Sequence, residues 1–158
     1  MIISFDLDDT LIPGNKKFPT EKRSIFQKFW GIEKIRLGTI ELMKSCQLQG
    51  HHIYIYTTSL RPARRIWWTF YTYGIKLAKV INQKKHEAIL REKSTFYSKY
   101  PPAFNIDIHI DDSKGVEIEG NRFNFRTIII REDNHKWIDD ILRIVSTLNQ
   151  YNSQQKTS

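Results

Sequence analysis

The sequence predicts an α/β fold, specifically a Rossmann-like three-layer α/β/α sandwich around a mainly parallel five-stranded sheet. Short runs rich in β-branched and aromatic residues alternate with segments of helical period, which is the pattern of parallel strands joined by crossover helices. The 158 residues suffice for one core but not for two, and the 40% hydrophobic content is typical of a packed chain. We therefore predict a single domain over residues 1–150, followed by a flexible polar tail over residues 151–158.

The first third of the chain is predicted to contain two strands and two helices. Thr20 is a suitable N-cap for the first helix, Gly31 is a suitable end for it, and Gly50 ends the second helix. The segment HHIYIYTT that follows is rich in the residue types that favour a strand. The predicted elements are a strand over residues 1–5, a turn or small flap over 11–18, helices over 21–30 and 39–49, and a strand over 51–58.

The rest of the chain is predicted to contain three helices and three further strands. Pro62 suits the first turn of a helix, and the apolar residues after it have the spacing of a core-facing stripe: Ala63, Ile66, Trp67 and Phe70. The stretch RIWWTFYTY is therefore predicted to be mostly core and helix surface, and a platform on which nucleic-acid bases stack is the alternative. The predicted elements are helices over residues 63–73, 83–96 and 137–148, and strands over 77–81, 106–110 and 125–130.

Charge and cysteine content limit the classes of function. The formal net charge of +8 favours anionic partners, from phosphate esters to nucleic acid, although ordinary solvated surface charge is the alternative because the basic residues are spread along the chain. The single cysteine, Cys46, excludes an internal disulfide and a thiolate metal cluster, and we predict that it is buried. No apolar run approaches the roughly 20 residues of a membrane span, so we expect a cytoplasmic protein without membrane contact.

Polar side chains cluster where three of the predicted strands end. Three carboxylates follow the first strand in the stretch FDLDDTL, hydroxyl groups end the second strand in IYIYTTS, and paired acids end the fourth strand in IDIHIDDS. The carboxyl ends of parallel strands lie at one edge of a sheet, so these groups can converge. Converging carboxylates without a thiol or histidine cluster indicate a site for a hard cation such as Mg²⁺.

These motifs resemble those of the haloacid dehalogenase (HAD) superfamily. FDLDDTL is similar to the first motif of that family, DxDxT, and IYIYTTS to the second, an apolar strand that ends in Thr or Ser. KYPPAF, with Lys99, resembles the third motif, and IDIHIDDS the fourth. The resemblance covers roughly residues 1–113, and it implies a HAD-like hydrolase domain, here without a large cap.

The resemblance implies a magnesium-dependent phosphatase. Asp6 would be the nucleophile that forms an aspartyl phosphate, and Asp8 would act as general acid and then as general base. The Thr57 hydroxyl and the Lys99 ammonium would hold phosphoryl oxygens.

The resemblance also implies a metal site. Asp111 would bind Mg²⁺ together with a carboxylate oxygen of Asp6 and the backbone carbonyl of Asp8. Asp112 would be a second ligand or would support the ligands. Asp9 is expected to point away from the metal.

Several assignments have alternatives at this point. Thr58 or Ser59 could serve in place of Thr57, and Lys84 or Lys85 in place of Lys99. The sequence gives no explanation for Asp107 and His109, which place polar groups on one face of a strand predicted to be central.

The segments between the motifs are short, so an open site is predicted, with a phosphorylated substrate that could be a macromolecule. A basic rim is predicted from residues on loops and helix starts: Lys16, Lys17, Arg61, Arg64 and Arg65. A dehalogenase is disfavoured because C–halogen cleavage has no use for the acid and base that Asp8 supplies. The other alternative is a non-catalytic HAD-fold module that binds nucleic acid or a protein partner. Oligomeric state is left open.

Overall fold

The computed structural model describes residues 1–155, apart from the side chains of residues 94, 152, 153 and 155. Within this range one sheet of five strands forms, all parallel, in the order β3-β2-β1-β4-β5. The strands are β1 (Ile2–Phe5), β2 (His52–Tyr56), β3 (Lys79–Ile81), β4 (Ile108–Asp111) and β5 (Thr127–Ile129). The predicted α/β class and the parallel sheet are confirmed.

Helices connect the strands and cover both faces of the sheet, which gives the three-layer arrangement. They are α1 (Ile25–Phe29), α2 (Thr39–Leu48), α3 (Ala63–Thr72), α4 (Gln83–Leu90), α5 (Lys114–Phe123) and α6 (Trp137–Gln155). Two 3₁₀ turns, Arg91–Thr95 and Pro101–Phe104, lie between α4 and β4. None of the helices in the described part of the chain is long and apolar enough to span a membrane.

Side chains alternate along the central strands between two apolar cores. Ile3 and Phe5 of β1 belong to the larger core with the in-register residues of the neighbouring strands and with residues of α2, α3 and α6. The smaller core lies on the opposite face and contains Tyr56, Ile81, Phe104 and Ile106. Because every second residue of a strand faces the same side, the same short strands supply apolar side chains to both cores.

Cys46 of α2 is fully buried in the larger core, as predicted. Burial raises the pKa of this thiol to about 11. A neutral thiol without solvent access is inert toward electrophiles, which agrees with a packing role.

The first helix is shorter than predicted. α1 begins after Ser24, whose side chain accepts a hydrogen bond from the Gln27 backbone in a capping box, and not after Thr20. Thr20 instead forms an isolated antiparallel bridge with Arg36. Extended pairing at this position is incompatible with helical backbone, so the tertiary contact overrides the local capping signal.

The other differences concern the second half of the chain, where the helix predicted over residues 83–96 ends at Leu90 and a 3₁₀ turn follows it. No element was predicted between the last two strands, where α5 forms the crossover that two parallel strands require. Ile66 and Phe70 of α3 are buried as predicted, whereas Trp67 is 37% exposed. The last helix, α6, continues to Gln155, so part of the predicted polar tail is helical, and residues 156–158 of that tail lie outside the described residues.

Candidate functional site

A cleft of about 240 Å³ opens at the carboxyl ends of the central strands. Its walls include all six residues predicted to act in catalysis or metal binding: Asp6, Asp8, Thr57, Lys99, Asp111 and Asp112. Residues far apart in the sequence therefore share one site, at the edge of the sheet where open α/β proteins bind ligands.

The parallel register of the sheet explains this convergence. Phe5 of β1 lies opposite Ile55 of β2 and Ile110 of β4, so the residues that follow these three positions leave the sheet side by side. The Asp6 backbone N–H donates to the Ile110 carbonyl at 2.8 Å, which extends the ladder by one residue. Acids that follow β1 and β4 are therefore neighbours.

Lys99 lies between two of the carboxylates. Its Nζ is 2.5 Å from Oδ1 of Asp6 and 3.0 Å from Oδ2 of Asp111, and the side chain is almost completely buried. Burial opposes the charge of the ammonium group, but attraction to Asp6 and Asp111 outweighs it and raises the pKa of Lys99 above its usual value. Lys84 and Lys85, the alternatives, are exposed on α4.

The two carboxyl groups bonded to Lys99 differ in acidity. Burial, together with repulsion from Asp111, raises the pKa of Asp6 to about 6 despite the opposing charge of Lys99. Burial also acts to raise the pKa of Asp111, but its hydrogen bond with His109 and the charge of Lys99 outweigh burial and lower that pKa below the usual range. The second oxygen of Asp111, Oδ1, accepts hydrogen bonds from the backbone N–H groups of Asp112 and Ser113 at 2.8 and 2.9 Å.

His109 belongs to the site although the sequence assigned it no role. Its ring is fully buried, with Nε2 3.0 Å from Oδ2 of Asp111 and Nδ1 2.7 Å from the Ser4 hydroxyl. Burial is the main cause that lowers the pKa of His109, which favours a neutral ring that donates to Asp111 and accepts from Ser4. The only signal in the sequence was a polar residue within an otherwise apolar central strand.

Asp107, the other unexplained residue of that segment, has a structural partner. Its Oδ2 accepts a hydrogen bond from the Ile2 backbone N–H at 2.6 Å. The carboxylate thus satisfies a backbone donor at the start of β1, at the edge of the sheet away from the cleft.

Oxygens of three acids could hold a metal ion together. One carboxylate oxygen each from Asp6, Asp111 and Asp112 lie within 4.8 Å of one another. Asp112 is fixed by the Thr10 hydroxyl, 2.9 Å from its Oδ1, and by Lys16 Nζ, 2.5 Å from its Oδ2. An all-oxygen donor set of this kind suits a hard divalent cation such as Mg²⁺.

The side chains of Asp8 and Asp9 are not part of this group of oxygens. Asp9 has left-handed backbone (φ 60°), and its Oδ1 accepts from the Gly14 and Lys16 backbone N–H groups, each at 2.9 Å. It therefore shapes the turn after the first motif. The expectation that Asp8 contributes its backbone carbonyl to a metal stays a prediction.

The Asp8 side chain instead forms an ion pair with Arg61, which was predicted only as part of the basic rim. Nη1 of Arg61 lies 2.6 Å from Oδ1 of Asp8 and 2.9 Å from the Ser59 hydroxyl, and Nη2 lies 3.0 Å from Oε1 of Glu33. The Asn82 side chain donates to the Arg61 carbonyl at 3.0 Å. Burial opposes the charge of Arg61, but the bond to Asp8 and the charges of both acids outweigh it and raise its pKa.

Three residues with hydroxyl groups follow β2, and they differ in whether they line the cleft or bind Arg61. Thr57 is buried, and its Oγ1 accepts from the Ser59 backbone N–H at 3.1 Å. Thr58 also lines the cleft, whereas the Ser59 hydroxyl is bonded to Arg61. The geometry thus leaves Thr57 and Thr58 as candidates for contact with a ligand.

The predicted basic rim forms only in part. Lys16 and Arg61 are bonded to acids of the cleft, and Arg64 and Arg65 are exposed on the first turn of α3. The Lys17 backbone N–H donates to Glu132 at 3.1 Å.

No family model matches the chain, and no curated protein matches its sequence. Function is therefore inferred from the fold and from the side chains that line the cleft.

Proposed function

We propose that this chain is a magnesium-dependent phosphohydrolase of the HAD type, which cleaves a phosphate ester through an aspartyl-phosphate intermediate. The observation that supports this most is the cleft at the carboxyl ends of β1, β2 and β4, where the side chains proposed for these roles lie together: Asp6, Asp8, Thr57, Lys99, Asp111 and Asp112. Such a constellation provides each group that phosphoryl transfer by an aspartate needs.

In the first step, a carboxylate oxygen of Asp6 attacks phosphorus while the bond from phosphorus to the ester oxygen breaks. Asp8 gives its proton to the leaving oxygen, which departs as an alcohol. In the second step, Asp8 takes a proton from a water molecule that attacks the phosphorus. Inorganic phosphate leaves, and the Asp6 carboxylate and the Asp8 proton are restored.

Lys99 and the Thr57 hydroxyl stabilise negative charge during both steps. The contact of Lys99 with Asp6 supports this role, because a phosphoryl group on Asp6 would have its oxygens near the ammonium group. Asp6, Asp111 and Asp112 would hold Mg²⁺, which supplies positive charge that reduces repulsion between the nucleophile and the substrate dianion. The Asp111 carboxylate is kept oriented by its hydrogen bonds with His109 and with the backbone N–H groups of Asp112 and Ser113.

The test is an assay with a generic aryl phosphate, in the presence of magnesium and of a chelator, beside the variant Asp6→Asn. We expect hydrolysis that depends on the metal and is lost in Asp6→Asn, because the amide is nearly isosteric but is not a nucleophile. Calorimetric titration with Mg²⁺ supplies a readout besides activity: binding by the unsubstituted chain should be lost in Asp111→Asn. Hydrolysis that persists in Asp6→Asn would contradict the proposal.

The same samples distinguish the alternatives. Halide release from a haloacid without magnesium would indicate a dehalogenase. Salt-sensitive nucleic-acid binding without hydrolysis of any ester would indicate a non-catalytic module.

A further inference from the structure

A group of large apolar side chains is exposed beside the cleft, which we call the aromatic surface. It combines four residues of α1 and its end with four residues of α3 and the loop before it: Ile25, Phe26, Phe29, Trp30, Leu60, Trp67, Trp68 and Tyr71. Phe29 is 83% exposed and Tyr71 is 69% exposed. Exposed apolar side chains that lie together mark a site of interaction.

The two halves of the aromatic surface lie side by side. Gln27 of α1 donates from Nε2 to the Thr72 carbonyl of α3 at 3.1 Å, and the Tyr73 hydroxyl donates to the Glu33 carbonyl at 3.0 Å. Together with the ion pair between Glu33 and Arg61, these bonds place residues 27–33 alongside α3. The helices that carry the two halves of the aromatic surface are therefore neighbours.

The aromatic surface borders the cleft. Arg61, which is bonded to Asp8 inside the cleft, precedes α3 by two residues and is bonded on its other side to Glu33. A ligand whose terminal group lies next to Asp8 can therefore extend directly onto α3. Trp68 lies less than two helical turns, about 8 Å along the axis, from the start of α3.

The exposed charges of the aromatic surface are all positive. In residues 20–34 and 60–73 they belong to five side chains: Lys22, Lys28, Lys34, Arg64 and Arg65. The two acids of these segments are only partly exposed and have partners, since Glu21 accepts from the Gly38 backbone N–H and Glu33 forms an ion pair with Arg61. The occupant must therefore present negative charge together with apolar surface.

The aromatic rings indicate which anion fits. The Trp68 and Tyr71 rings are stacked, with centroids 5.9 Å apart and planes 21° from parallel, and both side chains are exposed. A single-stranded nucleic acid offers a planar base and an anionic phosphate at every nucleotide, which matches aromatic faces interleaved with Arg and Lys. A second copy of the chain fits less well, because a symmetric contact would bring the same positive charges together.

We propose that the aromatic surface binds a single-stranded nucleic acid and presents its terminal phosphate to the cleft; this inference rests on the proposed phosphohydrolase function for its catalytic part. The reaction is hydrolysis of the terminal phosphomonoester: the bond from phosphorus to the terminal ester oxygen breaks, inorganic phosphate is released and the strand keeps a hydroxyl group. The bases stack on α3, and the backbone phosphates contact Arg64 and Arg65.

The first arm of the test compares substrates of different length. The probes are a single-stranded oligothymidylate of about ten nucleotides, phosphorylated at its 5′ or its 3′ end, and the corresponding mononucleotides. We expect kcat/KM for one of the two strands to exceed that for its mononucleotide by about tenfold for each stacked base, with a KM that rises steeply with salt. Equal kcat/KM for strand and mononucleotide, with the aryl ester hydrolysed, would overturn the inference and leave the proposed function intact.

The second arm uses variants matched by residue type. Trp68→Ala and Arg64→Ala should each lower the ratio of kcat/KM for the strand to kcat/KM for the aryl ester by about tenfold, because stacking or a phosphate contact is lost. Phe96→Ala and Arg143→Ala remove an exposed aromatic directly after the 3₁₀ turn Arg91–Thr95 and an exposed Arg of α6, and should leave the ratio as it is. The same loss in all four variants would overturn the assignment of this surface.

The third arm measures binding without catalysis. Fluorescence anisotropy of the labelled strand in a chelator should show binding that weakens in Trp68→Ala but not in Phe96→Ala, even if no ester is hydrolysed. Such binding would support the surface, and if no ester is hydrolysed with magnesium either, the proposed function would be contradicted while the surface stands. A dimer in solution that Trp68→Ala dissociates, without strand binding, would assign the surface to a second copy and overturn the inference.

Discussion

At the scale of single residues, Lys99 determines the charge balance of the cleft. Its ammonium group contacts two buried carboxylates, Asp6 and Asp111, and both would be left without a countercharge if it were removed. Burial disfavours the charged form of Asp6, whose pKa is raised to about 6 even with Lys99 beside it. The lysine therefore contributes to stability as well as to the proposed chemistry.

We expect Lys99→Met to lower the free energy of unfolding by about 3 kcal/mol, since removing one partner of a buried ion pair leaves uncompensated charge. Urea denaturation in a chelator measures this. Added Mg²⁺ should restore part of the loss, because a cation among the same carboxylates replaces the missing charge. Lys84→Met, at an exposed lysine of α4, is the control and should change stability by less than about 0.5 kcal/mol. Equal stability of the two variants would contradict this account of Lys99.

Arg61 orients the carboxyl group of Asp8, a side chain that is 46% exposed. We expect Arg61→Ala to lower kcat/KM for an alkyl phosphate by about 10- to 100-fold, because a poor leaving group needs a well-placed acid. For an aryl phosphate with a good leaving group the loss should be several times smaller. Arg61→Lys keeps the positive charge but lacks the guanidinium group that contacts both Asp8 and Glu33, so the loss of kcat/KM in this variant should be intermediate. A rise of KM with equal losses on both esters would show instead that Arg61 binds the phosphate.

At the scale of elements, the start of α2 is limited by its contact with α6. Gly38 has φ 88°, and a Cβ at this position would collide with the Ile138 side chain of α6. Gly50, at the end of α2, has a similar φ of 80° but open space where a Cβ would lie. Substitution at Gly50 would therefore introduce backbone strain alone, whereas substitution at Gly38 would introduce strain and steric overlap.

Gly38→Ala is expected to lower the free energy of unfolding by about 2–4 kcal/mol, because left-handed strain and overpacking add. Gly50→Ala should cost only about 1 kcal/mol, since strain acts alone. Thermal unfolding of both variants provides the comparison. A larger loss in Gly50→Ala than in Gly38→Ala would be inconsistent with this packing of α2 against α6.

Elements were predictable where local signals and tertiary contacts agree. Periodicity and glycine stops located α2, α3 and the five strands, because these segments also face the cores that the pattern implies. The start of α1 was wrong because the contact of Thr20 with Arg36 outweighs its capping preference. α5 was missed, although a parallel connection from β4 to β5 requires a crossover.

The site was predictable to the extent that it follows from strand order. Residues at the carboxyl ends of parallel strands can converge, so the acids of FDLDDTL and IDIHIDDS could be expected in one site, and the structure adds that β1 and β4 are neighbours. The contact of Arg61 with Asp8 and Glu33 could not, because it depends on how residues 30–33 run past α3. His109 likewise acquires its partner from the neighbouring strand, where Ser4 lies in register with it.

At the scale of the whole molecule, the buried Cys46 links stability to pH. Its pKa is raised from 9.0 to about 11 by burial, so the folded state disfavours the thiolate relative to the unfolded state. This contribution is fully present below pH 9 and is lost as pH rises from 9 to about 11. The loss amounts to about 2–3 kcal/mol.

We therefore expect the free energy of unfolding to fall more steeply across that pH range in the unsubstituted chain than in Cys46→Ala. Urea denaturation at several alkaline pH values measures the difference in slope. The variant controls for the other groups that titrate in this range, because it lacks only the Cys46 thiol. Identical slopes would show that Cys46 ionises freely in the folded chain.

The central claim is that Asp6 carries the phosphoryl group during hydrolysis. Mass spectrometry of the protein quenched in acid during turnover of the aryl phosphate tests this most directly, with Asp6→Asn as the control. We predict one phosphoryl group on the peptide that contains Asp6, present with magnesium and absent from the variant. Hydrolysis without a phosphoryl group on the chain, or with one on another residue, would contradict the account.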